Sequence, residues 1–308
     1  MKIVYMGTPD FAVPALQAIA KVHQVELVIT QPDKPKGRGK AMQFTPVKEA
    51  AVSLDIPVYQ PEDINSEESY QKLKEISPDI MVVAAFGQIL KERILNLPTY
   101  GCINIHASLL PNLRGAAPIQ FAILEGHKKA GVTIMQMAKG LDSGDMISKS
   151  EVVLDAKETG GSLHDKLSAL GGTLILDTLK QIEEKTATYT PQGEEFTYAG
   201  MLTKSMGEID WNKDAITIER LIRGLNPWPS AYTFLENKML KIWEAEIVDK
   251  KGKPGEIIEV TKKDFTVATG DGSLVIKNLQ LQGKKRMDVD AFLRGVKLEA
   301  GIQLGRIN

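Results

Sequence analysis

Short apolar runs alternate with longer segments of helical periodicity through the first two-thirds of the chain, and this alternation constrains the fold more than any other feature. Such an alternation is typical of βαβ units, which build a parallel sheet. The predicted strands are Lys2–Met6, Val25–Thr30, Ile80–Ala85, Gly101–His106 and Val132–Met137, with Ser148–Leu154 as the hairpin partner of the last. The predicted helices are Val13–Val22, Gln88–Leu95 and Ser162–Lys185. The pattern therefore predicts an α/β domain over residues 1–188.

The periodicity fades over residues 189–205, where Pro, Gly, Thr and Glu accumulate, and this composition predicts a linker. Beyond it, one helix is predicted, and short strands recur at near-regular spacing. The helix is Ala215–Leu225, and the strands are Tyr232–Leu235, Leu240–Val248, Gly255–Val260, Phe265–Ala268 and Leu274–Leu281. Short strands in a compact unit favour a small barrel. The predicted fold is thus a Rossmann-like α/β domain with a mostly parallel sheet, followed over residues 206–308 by a small OB-like β-barrel.

Composition restricts the class of protein further. The formal net charge of −1 gives no bulk attraction to nucleic acid, so local clusters must hold any such partner. A single cysteine, Cys102, allows neither an internal disulfide nor a cysteine metal cluster. No run of about 18 apolar residues occurs, and the first residues lack the pattern of a secretory signal. We therefore expect a cytoplasmic monomer that binds no membrane and no metal.

The strand that ends in Asn104-Ile105-His106 carries the first candidate site. Alternate residues of a strand face the same side, so the Asn104 carboxamide and the His106 imidazole project together. In an open α/β sheet, ligands bind at the carboxyl ends of the strands. The pair could hold a carbonyl oxygen as it becomes an oxyanion, and His106 could also move a proton. From spacing alone, an interior histidine and a turn-forming asparagine explain the same residues.

Two loops later in the sequence are candidates for the same site. Residues 107–118 are rich in Gly and Pro yet contain Leu109-Leu110, which indicates packing against a ligand or against the sheet. Residues 139–145 place Asp142 and Asp145 three apart among glycines, which let a ligand approach the backbone closely. An ordinary Asx turn explains this second loop equally well.

Taken together, four segments resemble the motifs of the folate-dependent formyltransferase family, and the match runs along most of the chain. They occur in the family's order and are Met6–Ala12, Asn104–Pro111, Arg114–Pro118 and Leu141–Asp145. The resemblance implies that the formyl donor is 10-formyltetrahydrofolate. It also implies a folate-contacting loop, made of Ser108, Leu109, Leu110 and Pro111.

The same resemblance matches Asn104, His106 and Asp142 to the family's catalytic residues. In that role, Asn104 donates a hydrogen bond to the formyl oxygen, and His106 stabilises the oxyanion. Asp142 orients or charges the imidazole and assists proton transfer. No acyl-enzyme is needed, and Cys102 is expected to be an inert buried thiol.

Two further features resemble the family members that act on aminoacylated tRNA. Gln31-Pro32-Asp33 precedes a basic segment similar to an inserted loop of those members, and Asn226–Pro229 matches a signature of their C-terminal barrel. The implied acceptor is the α-amino group of methionine on initiator methionyl-tRNA. The cations that could face its phosphates together are Lys34, Lys36, Arg38 and Lys40. We expect this loop to be poorly ordered in the free protein and ordered on tRNA; the alternative is a solvated loop without a partner.

Other functions stay open at the level of sequence. A formyltransferase of the same family could act on a small amine such as an amino sugar or a nucleotide. An RNA-binding module with an inactive N-terminal domain is opposed by the intact Asn104, His106 and Asp142. A dinucleotide-dependent dehydrogenase is opposed by Gly7-Thr8-Pro9-Asp10, which lacks the glycine fingerprint.

The remaining aromatic and basic residues favour structural roles. Trp228 lies between two prolines and is predicted to be buried against the barrel. Arg220, Arg223 and the run Lys284–Arg286 are typical of a solvated face, although each could also reach tRNA phosphates.

Overall fold

The computed structural model describes residues 1–36 and 41–306. The chain divides into two compact units, and neither unit is a single stretch of sequence. The first unit comprises residues 1–118, 129–153 and 164–199. The second comprises residues 119–128, 154–163 and the chain from residue 200 onward. The division into domains at residues 189–205, which follows sequence order alone, stays a prediction.

The chain before residue 200 has the predicted alternation of strands and helices. The strands are β1 (Lys2–Gly7), β2 (Gln24–Ile29), β3 (Lys34–Lys36), β4 (Ala41–Gln43), β5 (Val58–Tyr59), β6 (Ile80–Ala84), β7 (Cys102–His106), β8 (Arg114–Gly115), β9 (Lys129–Gln136), β10 (Met146–Val153) and β11 (Tyr198–Ala199). The helices are α1 (Val13–Ala20), α2 (Pro46–Ser53), α3 (Glu67–Ile76), α4 (Glu92–Leu95), α5 (Pro118–Leu124) and α6 (Gly160–Glu183), and a 3-10 helix covers Asp10–Ala12.

Seven of these strands form one sheet in the order β10-β9-β7-β6-β1-β2-β5. The strands from β5 to β7 in this order run parallel, whereas β9 and β10 are antiparallel to their neighbours. Every residue of β6 is buried, as expected for a parallel strand that is covered on both faces. The mostly parallel sheet and the hairpin of β9 with β10 confirm the sequence prediction.

The helices differ from the prediction in two respects. The structure adds α2, α3 and α5. Thr45 and Ser66 cap the first two of these, and each cap side chain accepts the backbone N–H three residues later, at 3.1 Å and 3.2 Å. The helix predicted over Gln88–Leu95 is wrong in its first half, and α4 contains only the last four residues. The reason is that the Gln88 side chain accepts the Ile64 N–H at 2.8 Å, which ties this segment to the chain before α3.

The chain from residue 200 onward forms the predicted β domain. Its antiparallel strands follow the path β12-β13-β16-β15-β14, with β17 paired to β16. The strands are β12 (Ala231–Leu235), β13 (Lys238–Val248), β14 (Ile257–Val260), β15 (Phe265–Ala268), β16 (Ser273–Leu281) and β17 (Met287–Asp288), and the helices are α7 (Ala215–Gly224) and α8 (Val289–Leu293). One hydrophobic core takes residues from both helices and from β12 to β16. The two helices therefore belong to the same folding unit as the strands.

The prediction that Trp228 is buried is wrong, because this indole is 54% exposed. The next two residues, Pro229 and Ser230, are buried in its place. Trp211 is the tryptophan of this core, and its Nε1 donates to the Thr233 hydroxyl at 3.0 Å. Trp228 therefore offers an aromatic surface to solvent.

Candidate active site

Strand β7 brings Asn104 and His106 to the carboxyl edge of the parallel strands. The two residues are two positions apart and therefore face the same side of the strand. Asn104 is partly exposed, and its carboxamide makes no hydrogen bond within the part of the chain that the structure describes. The His106 side chain is 6% exposed. The Asn104 carboxamide is thus available to a ligand, whereas the His106 imidazole is buried in the protein.

Both ring nitrogens of His106 face oxygen atoms. Nε2 lies 3.0 Å from the carbonyl oxygen of Leu113. A carbonyl oxygen can only accept, so Nε2 carries a proton and donates it. Nδ1 lies 3.6 Å from Oδ2 of Asp142, which is beyond hydrogen-bond distance. Among the contacts of the described residues, Nδ1 is therefore the ring nitrogen without a hydrogen bond.

A backbone donor holds the Asp142 carboxylate beside the imidazole. Its Oδ2 accepts the Gly115 N–H at 2.8 Å, and Asp142 has a φ of 46°, in the left-handed region that aspartate tolerates better than most residues. Gly115 has a φ of 109°, and a Cβ there would lie 2.6 Å from the carbonyl oxygen of Ala199. The Asp142 side chain is 13% exposed, so its charge acts on His106 with little screening by water.

The loop after β7, which is the predicted folate loop, is fixed by strands β9 and β10. The Thr133 hydroxyl donates to the carbonyl oxygen of Ser108 at 2.7 Å and accepts the Leu110 N–H at 3.1 Å. Lys149 donates to the carbonyl oxygen of Leu110, and burial lowers the pKa of this lysine. Leu110 is buried, whereas Leu109 is partly exposed. Leu109 is therefore the leucine that can offer apolar surface to a ligand.

The two remaining residues of this loop differ in the surface they present. The Ser108 side chain is buried, and its hydroxyl donates to the carbonyl oxygen of Asn112 at 2.7 Å. Pro111 follows a cis peptide bond and is partly exposed. Ser108 thus closes the loop on itself, and Pro111 keeps surface that a ligand can meet.

Sequence reasoning missed two polar residues that hold the site together. The side-chain nitrogen of Gln192 donates to the carbonyl oxygens of Asp142 and Gly144, at 2.8 Å each. The side-chain oxygen of Gln192 accepts a hydrogen bond from Nε of Arg114 at 2.9 Å. Arg114 is 6% exposed, and its guanidinium lies 4.2 Å from the centre of the Phe196 ring. Arg114 begins one of the four family-like segments, but neither residue belongs to a periodic pattern, so the sequence did not predict their contact.

Part of the predicted linker also lies against the site. The short strand β11 pairs in parallel with β8. The Thr197 hydroxyl accepts the Leu113 N–H at 2.9 Å, next to the carbonyl that binds His106. This segment is fixed by backbone pairing and polar side chains rather than by an apolar face, which explains why its periodicity is weak.

The structure places two of the four predicted tRNA-binding cations, Lys34 and Lys36, in a short two-stranded element. Strands β3 and β4 pair, and Lys34 is exposed on the first of them, which also includes Lys36. At the base of the hairpin, Asp33 accepts hydrogen bonds from Lys48 and, at 2.8 Å, from Gln60. The Lys48 hydrogen bond is the main cause of the low pKa of Asp33. Arg38 and Lys40 lie outside the described residues. The prediction that the tip of this loop becomes ordered on tRNA concerns the same residues and stays a prediction.

The other basic residues are held in part by the protein itself. Arg223 pairs with Glu219 at 2.5 Å and donates to the carbonyl oxygen of Glu158 at 2.9 Å, which favours a structural role. Arg286 lies over the ring of Trp243, 4.9 Å from its centre. The charge of Arg223 is thus largely compensated, whereas that of Arg286 is not.

Two kinds of site are absent from residues 1–36 and 41–306. Within these ranges, no three His, Cys, Asp or Glu side chains converge in a way that could hold a metal ion. The helices found there also lack the combination of length and apolar character that a membrane crossing requires.

Comparison with protein-family models assigns the chain to a class. The model described as formyl transferase matches residues 1–179, and the model described as formyl transferase, C-terminal domain, matches residues 201–297. The first match contains Asn104, His106 and Asp142. The chain belongs to the formyl transferase family.

Individual relatives refine this comparison. The chain is 55% identical to a methionyl-tRNA formyltransferase of Agathobacter rectalis over 305 residues, which cover 98% of each protein. It is 49% identical to a methionyl-tRNA formyltransferase of Clostridioides difficile, and the match covers 99% of this chain and 100% of the relative. Both relatives are therefore similar along their whole length.

Solved structures of lower identity share the fold. An N-formyltransferase of Helicobacter canadensis in complex with folinic acid and dTDP-3-aminofucose has a TM-score of 0.67 at 19% identity, covering 90% of this chain and 98% of that one. HypX from Aquifex aeolicus, in complex with tetrahydrofolic acid, has a TM-score of 0.63 at 16% identity and covers 98% of this chain and 50% of that one. At these identities the likeness extends to the fold alone.

Proposed function

We propose that this chain transfers the formyl group of 10-formyltetrahydrofolate to the α-amino group of methionine on initiator methionyl-tRNA. The observation that carries the proposal is full-length identity of 49 to 55% to two methionyl-tRNA formyltransferases. The placement of Asn104, His106 and Asp142 supports the same chemistry. The product is N-formylmethionyl-tRNA for the start of translation, so we place the enzyme in the cytoplasm. The monomeric state stays a prediction.

The reaction is a direct attack of the amine on the formyl carbon. A new bond joins the methionine nitrogen to that carbon, and the formyl oxygen becomes negative in a tetrahedral intermediate. Collapse breaks the bond between the formyl carbon and N10 of folate; the amine loses one proton, and N10 gains one. The protein therefore has to stabilise an oxyanion and move a proton. Cys102 takes no part, because burial raises the pKa of its thiol to about 12.

We assign the oxyanion to Asn104 and His106. The Asn104 carboxamide, which has no hydrogen bond within the described chain, donates to the formyl oxygen. Nε2 of His106 is engaged by the carbonyl of Leu113, so this nitrogen fixes the ring, and Nδ1 faces the reaction. Asp142, 3.6 Å from Nδ1, orients the imidazole and passes the amine proton on through water.

We assign folate to the loop after β7. Thr133 and Lys149 satisfy the inward-facing backbone groups of this loop, so it is already ordered before the ligand arrives. In this proposal, Leu109 and Pro111 offer side-chain surface for apolar contact with folate. The backbones of Ser108 and Leu110 form the base of the folate site.

We assign tRNA phosphates to the basic hairpin. A net charge of −1 means that a polyanion needs a local cationic cluster, and this segment supplies Lys34, Lys36, Arg38 and Lys40. Asp33, at the base of the hairpin, accepts hydrogen bonds from Lys48 and Gln60, whereas the neighbouring Lys34 is exposed. The base is therefore fixed, and the Lys34 charge is accessible to a phosphate, which supports this role.

The test is transfer of labelled formyl from 10-formyltetrahydrofolate by the purified full-length protein to two acceptors in parallel. One acceptor is initiator methionyl-tRNA, and the other is an amino-sugar nucleotide. We expect kcat/KM for methionyl-tRNA to exceed that for the sugar by at least about a hundredfold, since a site built for one acceptor discriminates strongly. N-acetylmethionyl-tRNA, which lacks a free amine, is the control and should accept no label.

Preferential transfer to the amino sugar would assign the chain to the formyltransferases of small amines. Folate binding without transfer to either acceptor would contradict the proposed activity.

A further inference from the structure

Gln192 connects the turn that carries Asp142 to Arg114, the first residue of β8. The two protons of its side-chain amide go to the carbonyl oxygens of Asp142 and Gly144, and its oxygen accepts from Nε of Arg114. We propose that Gln192 is a positioning residue, which sets the distance between the Asp142 carboxylate and His106. This inference rests on the proposed function, because its effect is on formyl transfer.

The turn depends on Gln192 for its shape. Within the described chain, the carbonyl oxygens of Asp142 and Gly144 receive hydrogen bonds from Gln192 alone. Leu141, next to Asp142, is 60% exposed and does not anchor the turn through packing. Gly144 fits tightly, since a Cβ there would lie 1.8 Å from the carbonyl oxygen of Gln136. One end of the turn is therefore fixed by packing. At the end with the carboxylate, Gln192 fixes the backbone and the Gly115 N–H holds the side-chain oxygen.

The hydrogen bonds specify an amide side chain at this position. Two carbonyl oxygens require two donors, and the Arg114 Nε–H requires an acceptor. A carboxylate satisfies Arg114 but cannot donate to either carbonyl, and an apolar side chain of the same length satisfies none of the three. Arg114 is itself well fixed, because it is 6% exposed and stacked on Phe196. Arg114 thus anchors Gln192, and Gln192 anchors the turn.

The consequence concerns chemistry rather than substrate binding. The Asp142 carboxylate acts on Nδ1 across 3.6 Å, and a shift of about 1 Å in such a group can lower a rate by as much as about a hundredfold. The predicted folate loop is fixed separately by Thr133 and Lys149. Loss of Gln192 should therefore lower kcat while leaving KM for folate unchanged.

The experiment compares Gln192→Glu and Gln192→Met with the wild type in formyl transfer to methionyl-tRNA by the full chain. We expect both variants to lose at least tenfold in kcat, with KM for 10-formyltetrahydrofolate changed less than twofold. Gln17→Glu, at an exposed site on α1 without a hydrogen bond in the described chain, is the matched control.

Gln192→Glu separates the positioning role from a purely structural one. Its carboxylate pairs with Arg114, so a residue needed only to hold Arg114 would tolerate this change and keep wild-type kcat. That result would overturn the inference, as would a loss of thermal stability with kcat intact. No transfer by the wild type would contradict both the proposed function and this inference, whereas normal transfer by the wild type and by Gln192→Glu contradicts the positioning role alone.

Discussion

The hydrogen bond from Nε2 of His106 to the carbonyl oxygen of Leu113 determines which nitrogen of the ring can meet a substrate. Nδ1 remains, and the charge nearest to it is the Asp142 carboxylate at 3.6 Å. The Gly115 N–H donates to the Asp142 carboxylate, and it could donate equally well to the side-chain oxygen of an asparagine at this position. An asparagine in place of Asp142 therefore removes the charge while keeping the shape and the hydrogen bond of the side chain.

Asp142→Asn is expected to lower kcat by a hundredfold or more, equivalent to about 2.7 kcal/mol of lost transition-state stabilisation. The asparagine oxygen still accepts the Gly115 N–H, so the melting temperature should change little. Steady-state kinetics with saturating folate and methionyl-tRNA measure the effect. Asp177→Asn, on the exposed face of α6, is the control. Near-normal kcat would mean that Asp142 only shapes the turn.

At the level of elements, strand β9 supports the predicted folate loop through one hydroxyl. Thr133 is fully buried and lies opposite His106 in the ladder between β7 and β9. Its hydroxyl satisfies both the carbonyl of Ser108 and the N–H of Leu110. The side chain of Thr133 thus links the sheet to the predicted folate loop, next to His106.

Thr133→Val keeps the shape of the side chain but leaves both backbone groups without this partner. We expect the free energy of unfolding to fall by about 1 to 3 kcal/mol, since a buried polar group that loses its partner costs this much. Folate should also bind severalfold more weakly. Urea unfolding and folate titration measure the two effects. Thr133→Ser retains the hydroxyl and should bind folate like the wild type; equal weakening by serine and valine would refute the role of the hydrogen bonds.

The base of the basic hairpin should respond to pH. The hydrogen bond from Lys48 lowers the pKa of Asp33, so the folded protein favours the carboxylate. A lowered pKa in the folded state adds stability above the ordinary aspartate pKa, and this stability is lost as the pH falls through the lowered value. We expect Asp33→Asn to be less stable than the wild type at pH 7 and equal to it at strongly acidic pH.

Urea midpoints measured from pH 7 downward test this expectation. Glu62→Gln, which removes an exposed carboxylate two residues after Gln60, should show no such pH-dependent difference. A stability gap between Asp33→Asn and the wild type that stays constant through the acidic range would exclude the ion pair as its cause.

Across the whole molecule, the sequence predicted the strands and helices that have a local periodic pattern. It did not predict contacts between residues that are far apart in sequence. Strands such as β7 are apolar and flanked by turn residues, so their pattern is local, and the motif ending at His106 could be found with it. Gln192 and Arg114 act only because the fold brings residues 78 positions apart into contact. Trp228 was placed wrongly because composition cannot tell which of two neighbouring apolar residues is buried.

The division into domains can be tested by limited proteolysis. Residues 190–199 contact the site through Gln192 and Thr197, whereas the exposed stretch from Gly200 to Ser205 includes Met201, 78% exposed. We expect the first cut by thermolysin within residues 189–205 to fall in this exposed stretch, as mass spectrometry of the fragments will show. Cutting within residues 190–199 while the exposed stretch stays intact would contradict this position for the boundary.

In the proposed reaction, His106 stabilises the formyl oxyanion during transfer from folate to methionyl-tRNA. This role is tested by the single-turnover rate of formyl transfer by the full-length wild type and by His106→Ala, with folate binding titrated on the same samples. We expect the rate of His106→Ala to be at least a hundredfold lower, with folate binding retained. His127→Ala, which changes a surface histidine beside Glu125, should match the wild type. Transfer by His106→Ala within threefold of the wild-type rate would show that His106 does not stabilise the oxyanion.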